Sequence, residues 1–159
     1  IGIWIDVQLV SVGALMHDWM KAAAIEKLDT GKFGHVPSHE EKEAWMKLRE
    51  RFAGKHESEI AHELLKDKYP KFAAFLLHEG SLSHDLALER GWEEKVIHYA
   101  DWRILGTKIV PLRERLDDFF ERYKKKILAK TTQEGWEKLK SVEFVYEKQI
   151  CRALGVDKI

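Results

Sequence analysis

Apolar residues recur along most of this chain at steps of three and four, and no β-branched alternation longer than IWIDV interrupts them. The pattern predicts an all-α fold, a single domain of roughly seven to eight helices. A first helix is expected over about 7–28, closed by the Asp29-Thr30-Gly31 cluster and followed by a loop, KFGHVP. Ser38 with Glu41 three residues on has the form of a capping box, opening a helix that runs through Arg51. Gly54 separates that helix from the next, HESEIAHELLKDKY, and Pro70 suits the first turn of another carrying FAAFLLH. EGSLSH reads as a loop, and Gly91 precedes a helix over about 92–105 that Gly106 stops. From about Pro111, the residues Leu112, Leu116, Phe119, Phe120, Tyr123 and Ile127 form an amphipathic stripe. Thr131 with Glu134 has the form of a second capping box, opening a last helix that stops at Gly155. No internal repeat, low-complexity tract or domain linker breaks the series.

Composition narrows the function classes. At 159 residues, 45% hydrophobic and 34% charged, the chain is long enough for one domain with a sizeable core. Lysine plus arginine (27) equals aspartate plus glutamate (27), so there is no basic field to draw nucleic acid in bulk. Lys124, Lys125 and Lys126 accordingly read as the solvated end of a helix, and the six tryptophans as packing groups, not base-stacking platforms. A single cysteine, Cys151, excludes an intrachain disulfide and a thiolate metal cluster. That usage fits a reducing, cytoplasmic setting, and leaves histidine and carboxylate as the ligands for any metal. The opening IGIWIDVQLVSVGALM has no basic leader, contains Asp6 and Gln8, and is too short to span a membrane, so it is expected to be a buried helix with its lead-in. Its abrupt start at Ile1 leads us to expect that part of the native N-terminus precedes it.

Candidate chemistry centres on His17 and Asp18, side by side in GALMHDWMK at the end of an apolar helical run. Adjacent helical residues point about 100° apart, yet a long imidazole and a short carboxylate can converge on one cation over that edge. Taken alone, the pair also reads as a core histidine beside a surface aspartate. Lys21, one turn on, puts a cation where a phosphate can be held, and Asp101 in HYADWRI supplies a second carboxylate on another helical segment. His98, one turn before Asp101, reads as a ligand or as a polar contact beneath the site.

These blocks resemble the HD-domain superfamily of metal-dependent phosphohydrolases. IWIDVQLVSVGALMHDWMK is similar to the segment in which a helix ends in Leu-Leu-His-Asp-Ile-Gly-Lys, with His17, Asp18 and Lys21 on matching positions. HESEIAHELL, from His56, is similar to a His-Gly-x-x-Gly-Ala-x-x-Leu block, with Ala61 aligned and both glycines replaced. FLLHEG places His78 where members carry a histidine at the end of the next helix. HYADWRI followed by IVPLRERLDDFFERY resembles the closing block, in which Asp101 takes the position of a metal ligand. The resemblance covers the chain from Ile3 to about Tyr123. Trp19-Met20 stand in place of Ile-Gly, and no histidine precedes His17, although the family pattern begins with one on an upstream helix. An additional N-terminal helix carrying that histidine is therefore expected in the native protein.

The resemblance implies that His17, Asp18 and Asp101 hold a divalent cation, that His56 and His78 serve a second one, and that Asp18 and Lys21 take part in catalysis. His56 and His78 also read as helix-end histidines, and Glu57 as a group orienting water beside His56 or as a helix-start carboxylate. His35, His39, His62 and His84 are given no role. A mixed histidine and carboxylate set accepts Mn²⁺, Fe²⁺, Co²⁺, Ni²⁺, Mg²⁺ or Zn²⁺ without strong preference, one or two per chain. Such a cation acidifies its bound water and polarises a phosphoryl oxygen, so the implied substrate is a nucleotide or other small phosphate mono- or diester. Two other functions are compatible with the scaffold: a degenerate regulatory or interaction module, and a diiron oxygenase.

Overall fold

Helix α1 covers Val7–Met16, well short of the expected 7–28. The computed structural model describes residues 3–25, 36–79 and 90–157. The Asp29-Thr30-Gly31 cluster, most of KFGHVP with His35, and most of EGSLSH with His84 lie outside the described residues. The helical ladder of α1 closes with the His17 N–H on the Gly13 carbonyl at 2.8 Å. Beyond it the bonds tighten to a span of three residues, Trp19 to Met16 at 3.2 Å and Lys21 to Asp18 at 2.9 Å. The cause is local: the His17 ring donates from Nδ1 to the Ala14 carbonyl at 2.8 Å, the acceptor that the Asp18 N–H would use in a continued helix. A short helix α2, Lys21–Ala24, follows the turn.

Burial of α1 also departs from expectation. Gly13 is its buried residue, whereas Val7 and Leu15 are 72% and 81% exposed. Apolar side chains in VQLVSVGALM are spread around the helix and not gathered in a stripe, so no single packed face covers them all.

The chain forms two compact units, residues 12–80 and residues 1–11 with 81–159. In the first, α3 (His39–Arg51) is opened by Ser38, whose hydroxyl accepts from the Glu41 N–H while the Glu41 carboxylate returns to the Ser38 N–H. Gly54 then turns the chain at φ +80°, a left-handed conformation that disfavours a side chain. Helix α4 (Glu57–Leu65) packs on α5 (Pro70–Glu79), burying Ile60, Ala61, Ala73 and Leu76. Helix α2 packs on α3 and α4, and the Trp45 indole ties α3 to α2 by donating to the Ala22 carbonyl at 2.7 Å.

In the second unit, α6 (Trp92–Asp101) ends before a two-stranded antiparallel hairpin, β1 (Ile104–Leu105) and β2 (Lys108–Ile109). The helix expected over 92–105 is thus four residues shorter, since Gly106 at φ +62° turns a hairpin and does not stop a helix. Helices α7 (Leu112–Lys130) and α8 (Gln133–Leu154) complete the unit. Leu112 and Leu116 of the expected stripe are buried with Tyr99, Trp102, Trp136 and Ile150, and Phe119, Phe120 and Ile127 pack against them, while Tyr123 is exposed. Trp102 meets Phe119 edge-on at 4.9 Å and Trp136 stacks on Phe120 at 5.5 Å, so these two tryptophans are core groups. Helix α8 is capped by Thr132, which accepts from the Gly135 N–H at 3.0 Å, and not by the expected Thr131 and Glu134. The all-α expectation holds, and among the described residues no helix is long and apolar enough to cross a membrane.

Candidate metal centre

His17, Asp18 and Lys21 come together in the turn between α1 and α2. His17 Nδ1 donates to the Ala14 carbonyl, so in the neutral ring Nε2 carries the lone pair, and it lies 3.7 Å from Asp18 Oδ2. Two acceptors that close are held by a positive charge or a proton between or beside them. Lys21 supplies one, its ammonium pairing with the same Asp18 Oδ2. The His17 side chain is 21% exposed with its Nε2 buried, while those of Asp18 and Lys21 are 41% and 55% exposed, so it is the Asp18 and Lys21 side of the turn that faces water. The expected position of Lys21 beside the pair is seen, but its partner is Asp18.

His56 occupies a different kind of position from the one the resemblance implies. It is the N-cap of α4: Nδ1 accepts from the Ser58 hydroxyl at 2.9 Å and from the Ser58 N–H at 3.4 Å, and the His56 N–H donates to Glu59 at 2.6 Å. Nδ1 as acceptor leaves the hydrogen on Nε2, which faces Glu57 Oε2 at 3.4 Å. The lone pair a cation would need is engaged in the cap. His78 lies in the last turn of α5 and is exposed.

Asp101 is the last residue of α6, exposed, and belongs to the second unit, while His17, Asp18, His56 and His78 belong to the first. Among the described residues no group of three or more histidine, cysteine, aspartate or glutamate side chains is gathered as a metal site.

A buried polar group that the sequence reading left half-seen lies between α6 and α8. His98 Nε2 is 2.8 Å from Glu143 Oε1 and accepts from the Trp102 indole N–H at 3.0 Å. Around it, burial pushes the Tyr146 phenol upward from its ordinary range, against the opposing pull of Arg90, which is hydrogen-bonded to it. Burial likewise raises Tyr99, whose hydroxyl donates to Glu147 at 3.0 Å and accepts from Arg103. His98 is thus a polar contact inside the helix pair. No family model matches the chain, and neither does any curated protein or solved structure.

Proposed function

We propose that the protein is a cytoplasmic metal-dependent phosphohydrolase of the HD-domain type, acting on a nucleotide or other small phosphate mono- or diester and not on bulk nucleic acid. The observation that carries this reading is the His17 ring. Its Nδ1–H is spent on a backbone carbonyl, which fixes Nε2 as the basic nitrogen on the Asp18 edge, and ligating histidines are commonly oriented in this way. A nitrogen and carboxylate donor set suits a divalent cation, with His17 and Asp18 as the residues of the turn that would hold it. When bound, the cation supplies an acidified water and polarises the phosphoryl oxygen. Lys21 neutralises Asp18 in the absence of substrate and is exposed enough to exchange that carboxylate for a non-bridging phosphate oxygen, a charge-assisted contact of about 1.5–3 kcal/mol.

The test is a panel of phosphomonoesters and phosphodiesters assayed with Mn²⁺, Co²⁺, Ni²⁺ and Mg²⁺. Hydrolysis is expected only with added cation, and His17→Ala and Asp18→Asn are expected to abolish it while far-ultraviolet circular dichroism stays helical. Undiminished turnover in Asp18→Asn would refute the assignment. A second reading, an interaction module that keeps the fold with a degenerate site, is favoured by the engagement of the His56 lone pair in a helix cap. Cation binding without hydrolysis of any ester in the panel would select it.

A further inference from the structure

Helix α2 is a single turn, Lys21–Ala24, and it begins at the lysine that pairs with Asp18. One turn of helix does not hold itself together, because fixing its backbone costs more than its few hydrogen bonds return. Within it, the Ala23 N–H donates to the Met20 carbonyl at 2.9 Å and the Ile25 N–H to the Lys21 carbonyl at 3.1 Å. Its buried side chain is Ala23, a single methyl group. Further support comes from α3. The Trp45 indole N–H donates to the carbonyl of Ala22, the neighbour of Lys21, at 2.7 Å, and so satisfies one of the carbonyls that a helix end leaves without an internal partner. The Arg49 guanidinium, one turn along α3, lies 5.0 Å over the Trp45 ring and steadies the indole in that direction.

Helix α3 keeps its shape by local chemistry and not by burial. None of its 13 residues is buried. The capping box of Ser38 and Glu41 closes its start, Glu40 and Glu41 stand in its first turn, Arg49 and Arg51 in its last, and His39 faces Glu43 at 3.5 Å. Phe52, just past its end, is buried, and Gly54 turns the chain beyond it. The helix is thus anchored at its C-terminal end and meets α2 through Trp45, which is half-buried. Elements with little buried surface open at low free energy, so α3 can open locally while the packed pair α4 and α5 stays closed.

We propose that α3 is a strap on α2, and that Trp45, by bonding the Ala22 carbonyl, is the positioning residue that keeps the α2 turn formed and Lys21 on Asp18. All of these residues lie in one compact unit, 12–80. The hold on α2 stands on the geometry alone, whereas its consequence for substrate rests on the reading of Lys21 as a phosphate contact.

Two measurements test it on the intact chain. Amide hydrogen exchange, run without metal or ester, compares the parent with Trp45→Phe, which keeps a ring under Arg49 and cannot donate. The amides of Ala23 and Ile25 are expected to exchange about three- to tenfold faster, the net worth of one hydrogen bond, whereas those of Ile60 and Ala73 in α4 and α5 keep the parent rates. Unchanged rates at Ala23 and Ile25, no protection of either in the parent, or an equal rise at all four amides overturns the strap. Hydrolysis of p-nitrophenyl phosphate, or of bis(p-nitrophenyl) phosphate if the parent takes the diester, is then followed with Mn²⁺. A loosened Lys21 weakens a contact made to phosphate in the ground and transition states alike, so KM is expected to rise about fivefold with kcat held within about twofold. Simple destabilisation removes active molecules and lowers kcat at constant KM, and that result overturns the positioning role. Should the phenylalanine variant lose its helical spectrum, Arg49→Ala keeps the indole, removes the cation stacked on it, and is expected to move both readouts the same way by a smaller factor. Unmoved readouts there overturn the proposal. A parent that hydrolyses neither ester defeats the phosphohydrolase reading and the role of Lys21 with it, while the exchange pattern still decides whether Trp45 holds α2.

Discussion

His56 can be made to separate a structural role from a chemical one, because the two make opposite demands on its side chain. As the N-cap of α4 it satisfies an otherwise unpaired backbone donor, the Ser58 N–H, and holds the Ser58 hydroxyl. Asparagine is among the best N-cap residues and alanine among the poor ones, with a cap-to-alanine change costing about 1 kcal/mol. The other half of the capping box, the His56 N–H on Glu59 at 2.6 Å, is backbone and survives either substitution, so the loss in His56→Ala is confined to the ring. For a chain of this size a loss of about 1 kcal/mol corresponds to a fall in Tm of roughly 2–4 °C. His56→Ala is therefore expected to melt that much lower by circular dichroism, and His56→Asn to melt with the parent. Neither should change Mn²⁺ affinity measured by calorimetry, since the lone pair is already engaged. Equal melting of the alanine and asparagine variants would show that the cap contributes nothing, and weakened Mn²⁺ binding in both at unchanged Tm would return His56 to the metal site.

Leu116 is 1% exposed beneath Trp102 and Trp136, so Leu116→Ala is expected to cost about 2–5 kcal/mol by cavity formation, read from urea denaturation. A loss below about 1 kcal/mol would mean that the aromatic cluster collapses into the gap. Burial raises the Tyr146 phenol above its unfolded value of 10.0, so the unfolded chain ionises first as pH rises. The stability this contributes is full below about pH 10 and is lost as pH climbs through the folded value. Thermal melts from neutral to strongly alkaline pH should show that loss blunted in Tyr146→Phe, and an identical alkaline slope in the two proteins would assign it to other groups.

What the sequence made legible was local chemistry. Ser38 with Glu41, Pro70 and Gly155 mark element ends because each acts through its own backbone or a neighbour within a turn, and all three ends are found where expected. Thr131 and Thr132 show where such reasoning loses resolution: both are competent caps, and the choice of Thr132 goes with Gly135, at which a Cβ would lie 2.1 Å from Thr131 Oγ1. The hairpin at Gly106 was misread because a glycine after an apolar run signals a helix stop and a hairpin turn alike. The end of α1 was illegible for another reason, since it is set by an imidazole on the Ala14 carbonyl and not by glycine or proline.

The candidate site divides along the same line. His17, Asp18 and Lys21 were legible as a group because five consecutive residues hold them, and contact at that range needs no knowledge of the fold. The His98 and Glu143 pair joins residues 45 apart, yet a signal for it was present in α8. Leu139, Val142, Tyr146 and Ile150 recur at steps of three and four, and Glu143 stands inside that stripe, where a carboxylate buried without a partner would be costly. A charge on an apolar face demands a partner on the helix that face meets. In this unit the hydrogen-bonding ring in position to answer it belongs to His98, which makes the stripe of α8 and the histidine before Asp101 two halves of one reading.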